Sequence, residues 1–124
     1  MVTIEGMNRR FVTQCVDHFC NILGIKTPKL LIFVDDTIKV AGACYENEPG
    51  DYMIVLKARD EGQMIVTLAH EMVHIKQYLK DDLRTQFDSS VPYYERWWEK
   101  EAYDKEVTLM KSLIEQVTQG YITQ

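Results

Sequence analysis

Residues 60 to 79 constrain this chain most. With His70 set at 0° and 100° per residue, Met64, Ile65, Leu68, Met72, Ile75 and Leu79 fall at roughly 120° to 220°, and Val66, Ala69 and Val73 at roughly 260° to 320°. A helix apolar over so much of its circumference cannot lie on a surface and must be covered on several sides. Asp60 is placed to cap its start, with Gln63 three residues later in capping-box position. One polar window remains, from roughly 340° to 100°, and it holds Gln77, His70, His74, Thr67 and Glu71. Buried polar groups need partners, so the elements that cover this helix must meet the window with chemistry as well as hydrocarbon.

The covering elements can be read along the chain. Residues 7 to 23 place Phe11, Val12, Cys15, Val16, Phe19, Ile22 and Leu23 on one helical stripe, and Gly24 is a plausible stop. Leu30 to Val34 is a short apolar run, Ile38 to Tyr45 a second strand, and Tyr52 to Leu56 a third, the last two joined as a hairpin through the turn-rich segment 46–51. After a polar, irregular stretch from Asp81 to Ser90, Pro92 opens a last helix that runs to about Val117. The expected order is α-β-β-β-α-α, an α+β fold with a small three-stranded sheet. At 124 residues the chain is expected to be one domain, residues 1–124.

Composition narrows the function classes. The chain is 46% hydrophobic and 27% charged, with a formal net charge of −5, an ordinary globular balance. Beyond Arg9-Arg10 it has no basic cluster, so no nucleic-acid partner and no membrane surface are expected. The first residues carry no export signal and no run is long enough to span a bilayer, which points to a cytoplasmic protein. Three cysteines, Cys15, Cys20 and Cys44, lack metal-type spacing and are expected to be reduced core residues.

The polar window contains His70-Glu71-Met72-Val73-His74, an H-E-x-x-H sequence. Residues i and i+4 lie about 40° apart on a helix, so the two imidazoles can take adjacent corners of a zinc tetrahedron, with Glu71 beside them as general base. A catalytic zinc usually takes three protein ligands, and Ile75 to Lys80 holds no third histidine. On the last helix, with Tyr94 at 0°, the apolar residues centre near 140° and Glu99 falls at about that angle; Glu101, near 340°, is expected in solvent. A carboxylate on the centre line of an apolar face is costly unless paired or metal-bound, which makes Glu99 the preferred third ligand. Glu95 and Glu106 share that face and stay open as alternatives, as does a buried salt bridge from Glu99 to Arg59 or Arg84. His18 is expected to be a boundary residue.

With these residues the chain resembles the gluzincins, zinc peptidases with H-E-x-x-H on one helix and a glutamate ligand on the next. It looks most like the compact members found in bacteria and on phage and mobile elements, through His70 to His74 and Trp98-Glu99-Lys100-Glu101-Ala102. The resemblance covers roughly residues 52 to 104. It implies that the strand Tyr52 to Leu56 borders the cleft and aligns an extended peptide substrate. An Asp often found four residues after the ligand is replaced here by Tyr103, which removes its usual support of the site. The loop 81–93 is expected to shape substrate access.

The expected activity is hydrolysis of protein or peptide substrates, with one Zn²⁺ per chain held by His70, His74 and Glu99 and with Glu71 moving the proton. Tyr93 or Tyr94 is a candidate donor to the oxyanion. The alternative is a zinc-binding scaffold or regulatory domain without proteolysis; retention of Glu71 argues against it. Substrate, oligomeric state and any latch role of the last helix are not legible.

Overall fold

Asn8 begins the first helix by accepting the Phe11 amide on its side-chain oxygen at 3.0 Å, and Gly24 ends it in the left-handed region at φ 71°. In the computed structural model, which describes residues 1–124, this helix is α1 (Arg9–Leu23). It buries Phe11, Val12, Cys15, Val16, Phe19, Cys20 and Leu23, while Ile22, expected on the same stripe, is exposed. The strands are β1 (Val2–Glu5), β2 (Lys29–Val34), β3 (Gly42–Glu48) and β4 (Asp51–Leu56). After them come α2 (Glu61–Lys80), the short α3 (Leu83–Gln86), a 3₁₀ turn at Tyr93–Glu95 and α4 (Trp97–Thr118). The class is α+β, as the sequence pattern implies.

The sheet has four strands in the order β1-β2-β4-β3, not three. β1 pairs parallel with β2, β2 parallel with β4, and β3 antiparallel with β4. Strand β1 escapes a sequence reading because only Ile4 among its four residues is buried, too little alternation to register. Strand β3 runs later than the expected 38–45. Its hairpin loop is only Pro49-Gly50, so pairing extends to Glu48 opposite Asp51. Gly50 adopts φ 89° there, a conformation that glycine enters without a Cβ clash.

Ile4, Leu30, Ile32, Tyr52, Ile54 and Leu56 form the buried face of the sheet and share one core with α1, α2 and the inner stripe of α4. Gly42 brings β3 against α2: a Cβ there would sit 2.6 Å from Thr67 Cγ2. Pro92 opens the 3₁₀ turn and not the helix, which starts at Trp97. Along α4 the buried residues are Trp98, Ala102, Leu109 and Leu113, whereas Tyr103, Val107 and Ile114 are exposed. The inner stripe therefore follows 99-102-106-109-113, the 3-4 spacing of a packed helix seam. Two of its five positions are glutamates. No helix is long and apolar enough to cross a membrane.

All three cysteines are free. Burial pushes the Cys15 thiol up to about 12 and Cys20 up to about 11. These are the protonated thiols of core residues.

Candidate metal centre

Helix α2 starts as its cap chemistry requires. The Asp60 side chain accepts the Gln63 amide at 2.9 Å, and the helix then runs through the core with His70, Glu71, His74 and Gln77 all buried. The two imidazoles lie 5.0 Å apart, nearly perpendicular. Atoms of His70, Glu71 and His74 able to bind a metal all lie within 4.8 Å of one another. This buried His/Glu group on α2 is a possible metal site.

Glu99 reaches it from α4. One of its oxygens, Oε1, accepts from His70 Nε2 at 2.9 Å and from His74 Nε2 at 3.1 Å. The other ring nitrogens are also engaged: His70 Nδ1 donates to Glu106 Oε1 at 2.8 Å and His74 Nδ1 to Gln77 Oε1 at 2.7 Å. Fixing Nδ1–H in this way is how proteins aim Nε2 at a metal. Tetrahedral zinc with bonds of about 2.0–2.1 Å separates its ligand atoms by about 3.3 Å, so the two Nε2–Oε1 spacings are slightly short of that edge. An N, N, O donor set of this kind is of the type that holds a divalent metal ion.

Without a metal, protons hold the cluster together. Burial disfavours a charged His70, but its hydrogen bonds to Glu99 and Glu106 outweigh that and raise it to about 9. His74 is raised against its burial by Glu99 in the same way. Burial works to raise Glu99, yet the two imidazoles beside it bring it down to about 2. Glu71 behaves differently: burial dominates, and its carboxyl is pushed above the usual range despite both histidines. Two carboxyls of one pocket are thus shifted in opposite directions, Glu71 by burial and Glu99 by its imidazole partners.

A second layer steadies the first. Gln77 is fully buried and donates to the Trp98 carbonyl at 2.9 Å and to Glu101 Oε1 at 3.0 Å. Lys76 joins the same Glu101 at 3.3 Å and Asp81 at 2.7 Å. Glu101 is therefore not a solvent residue, contrary to the helical phase: the long side chain reaches sideways to α2. Glu106 lies two helical turns beyond Glu99 and supports His70, the service that Tyr103 cannot perform as a carboxylate would. Its Oε1 meets His70 Nδ1 at 2.8 Å, the ring nitrogen that Glu99 does not touch. Glu95 is exposed and sits in the 3₁₀ turn before α4, so the helical phase that placed it on the inner face does not apply. Arg84 pairs with Glu46 and Asp82, not with Glu99. His18 bonds Ser112 at 2.9 Å, away from the cluster.

The group opens into a cleft of about 580 Å³ whose walls are Val40 to Cys44 on one side and Leu83, Phe87, Tyr93, Trp98 and Tyr103 on the other. Strand β4 does not border it, because β4 lies between β2 and β3 with both edges paired; the cleft strand is the edge strand β3. Tyr93 faces the cleft with its hydroxyl 3.1 Å from that of Tyr103. Tyr94 is 76% exposed and outside it. The Tyr103 ring packs edge-on to His70 at 4.6 Å, a contact that no sequence pattern signalled. Comparison with protein-family models, with curated proteins and with solved structures finds no match for this chain.

Proposed function

We propose that the chain is a zinc-dependent peptidase, with His70, His74 and Glu99 as the metal ligands and Glu71 as general base. The observation that carries this reading is the single Glu99 oxygen facing both Nε2 atoms, with a buried Glu71 alongside. Bound zinc supplies a Lewis acid that activates water and polarises a carbonyl. The chain's own residues do the rest. Glu71, 5% exposed and raised by burial, takes the proton of the attacking water and returns it to the departing amine. Glu106 and Gln77 keep the two imidazoles in one tautomer throughout.

Tyr93, on the cleft wall beside Tyr103, is a candidate hydroxyl donor to an oxyanion; Tyr94 is turned to solvent. An extended peptide would lie along the free edge of β3 near Val40 to Cys44, adding a strand to the sheet. Gly42 allows that edge its close approach to α2.

Metal analysis and one variant test the reading. Purified protein should retain about one zinc per chain after dialysis. Glu71→Gln should keep that zinc and lose cleavage of a peptide pool. Failure to hold zinc, or a Glu71→Gln protein that cleaves as well as the parent, refutes the assignment.

A further inference from the structure

One buried side-chain polar atom in the molecule has no hydrogen-bond partner, and it is Nε1 of Trp98. Trp98 is 4% exposed and lines the cleft beside Glu99. An indole N–H can only donate, so burying it unpaired costs free energy that a phenylalanine in the same place would not incur. Buried orphan donors in a native fold call for a specific explanation.

The surroundings indicate what it would meet. The indole is covered by the Phe87 ring, 5.5 Å away, and by the Arg96 guanidinium, 5.9 Å from the ring. Phe87 is itself 52% exposed and follows the short α3 in the connection between α2 and α4, so it can be displaced at less cost than a core side chain. The wall it belongs to is apolar. An apolar side chain suits it, whereas a carboxylate buried against it would give up its water without gaining a charged partner. A peptide backbone brings a carbonyl acceptor with every residue.

We propose that Leu83, Phe87, Tyr93 and Trp98 form a subsite for a bulky apolar side chain of a peptide, and that Trp98 Nε1–H is a substrate-positioning donor to a backbone carbonyl of that peptide. The ligand class rests on the peptidase reading. Its test does not need turnover. Zinc-loaded protein carrying Glu71→Gln and Trp97→Phe, labelled with ¹⁵N-tryptophan, has one indole signal, that of Trp98. It is titrated with two pools of capped random pentapeptides, the central residue fixed as Phe in one and as Asp in the other.

The Phe pool should move the indole proton downfield and slow its exchange with solvent, and the Asp pool should leave it in place. Trp98→Phe should weaken binding of the Phe pool by about two- to tenfold, the value of one hydrogen bond. Absence of binding by the Phe pool, binding that leaves the indole signal still, or equal response to both pools overturns the proposal. Should Trp98→Phe fold poorly, the indole signal of the parent still decides. The peptidase reading fails separately, through missing zinc or missing cleavage in the unmutated protein. A displaced indole signal in a protein that cleaves nothing keeps the subsite and discards the peptidase.

Discussion

Replacing Gln77 by leucine probes whether the support behind His74 matters to the metal. In the folded protein Gln77 accepts from His74 Nδ1 at 2.7 Å and donates to the Trp98 carbonyl and to Glu101. Leucine fills much of the same volume and satisfies none of the three. The protein then holds a buried imidazole N–H without a partner, at a cost of about 1–3 kcal/mol; the Trp98 carbonyl keeps its bond within α4, and Glu101 keeps Lys76. A destabilisation of about 1–3 kcal/mol follows, or roughly 4–11 °C in melting temperature for a domain of this size. His74 also loses the bond that sets its tautomer, and loss of such a partner lowers metal affinity by about 10- to 100-fold.

Gln77→Glu separates the two effects. It keeps an acceptor for His74 and loses the donors to Trp98 and Glu101, so zinc affinity should stay within a few-fold of the parent while the melting temperature falls. Affinity is read by competition against a chelating dye at a temperature where every variant is folded, and stability by thermal melts of the metal-free proteins. If Gln77→Leu binds zinc as tightly as the parent, the idea that Gln77 orients a metal ligand is wrong.

Two further outcomes follow from the same geometry. In metal-free protein, a His70 raised to about 9 stabilises fully below the usual value of 6.5 and loses that contribution as pH climbs towards 9. Glu99, brought down to about 2, contributes above 4.5 and loses its contribution as pH falls towards 2. Melting temperature of the metal-free protein should therefore be highest between 4.5 and 6.5 and fall by pH 9. Zinc requires both Nε2 atoms unprotonated, so saturating zinc should move the maximum to higher pH; the same profile with and without zinc would contradict the assignment. Gly42→Ala forces a Cβ to within 2.6 Å of Thr67 Cγ2 and should cost about 1–3 kcal/mol as β3 is pushed off α2, measured by denaturant unfolding. An unchanged midpoint would mean the contact relaxes freely.

What the sequence makes legible here is what is local. Asp60 and Gly24 mark helix ends by bonds within four residues, and the polar window of α2 follows from periodicity alone. The same arithmetic puts Glu99 and Glu106 on the inner face of α4. It fails where side-chain length or non-local pairing decides. Glu101 points away from the core by phase, yet its chain is long enough to reach Lys76 and Gln77. Strand β1 exists because β2 offers it an edge, and β3 extends to Glu48 because Pro49-Gly50 closes a two-residue loop. The apolar residues of α4 overstate its buried face, since composition does not distinguish Leu109, which is buried, from Ile114, which is exposed. Tyr103 against His70 is a meeting of two helices whose relative placement no single helix encodes.

The central claim is that His70, His74 and Glu99 hold one metal ion with Glu71 left free to move a proton. Crystals grown with zinc and measured on both sides of its absorption edge test this most directly. The anomalous difference map should hold one strong peak per chain, about 2.0–2.1 Å from Nε2 of both histidines and about 2.0–2.2 Å from a Glu99 oxygen. Glu106 should still be bonded to His70 Nδ1 in that map. No peak, or a peak ligated by Glu71 or Glu106 in place of Glu99, would contradict the account.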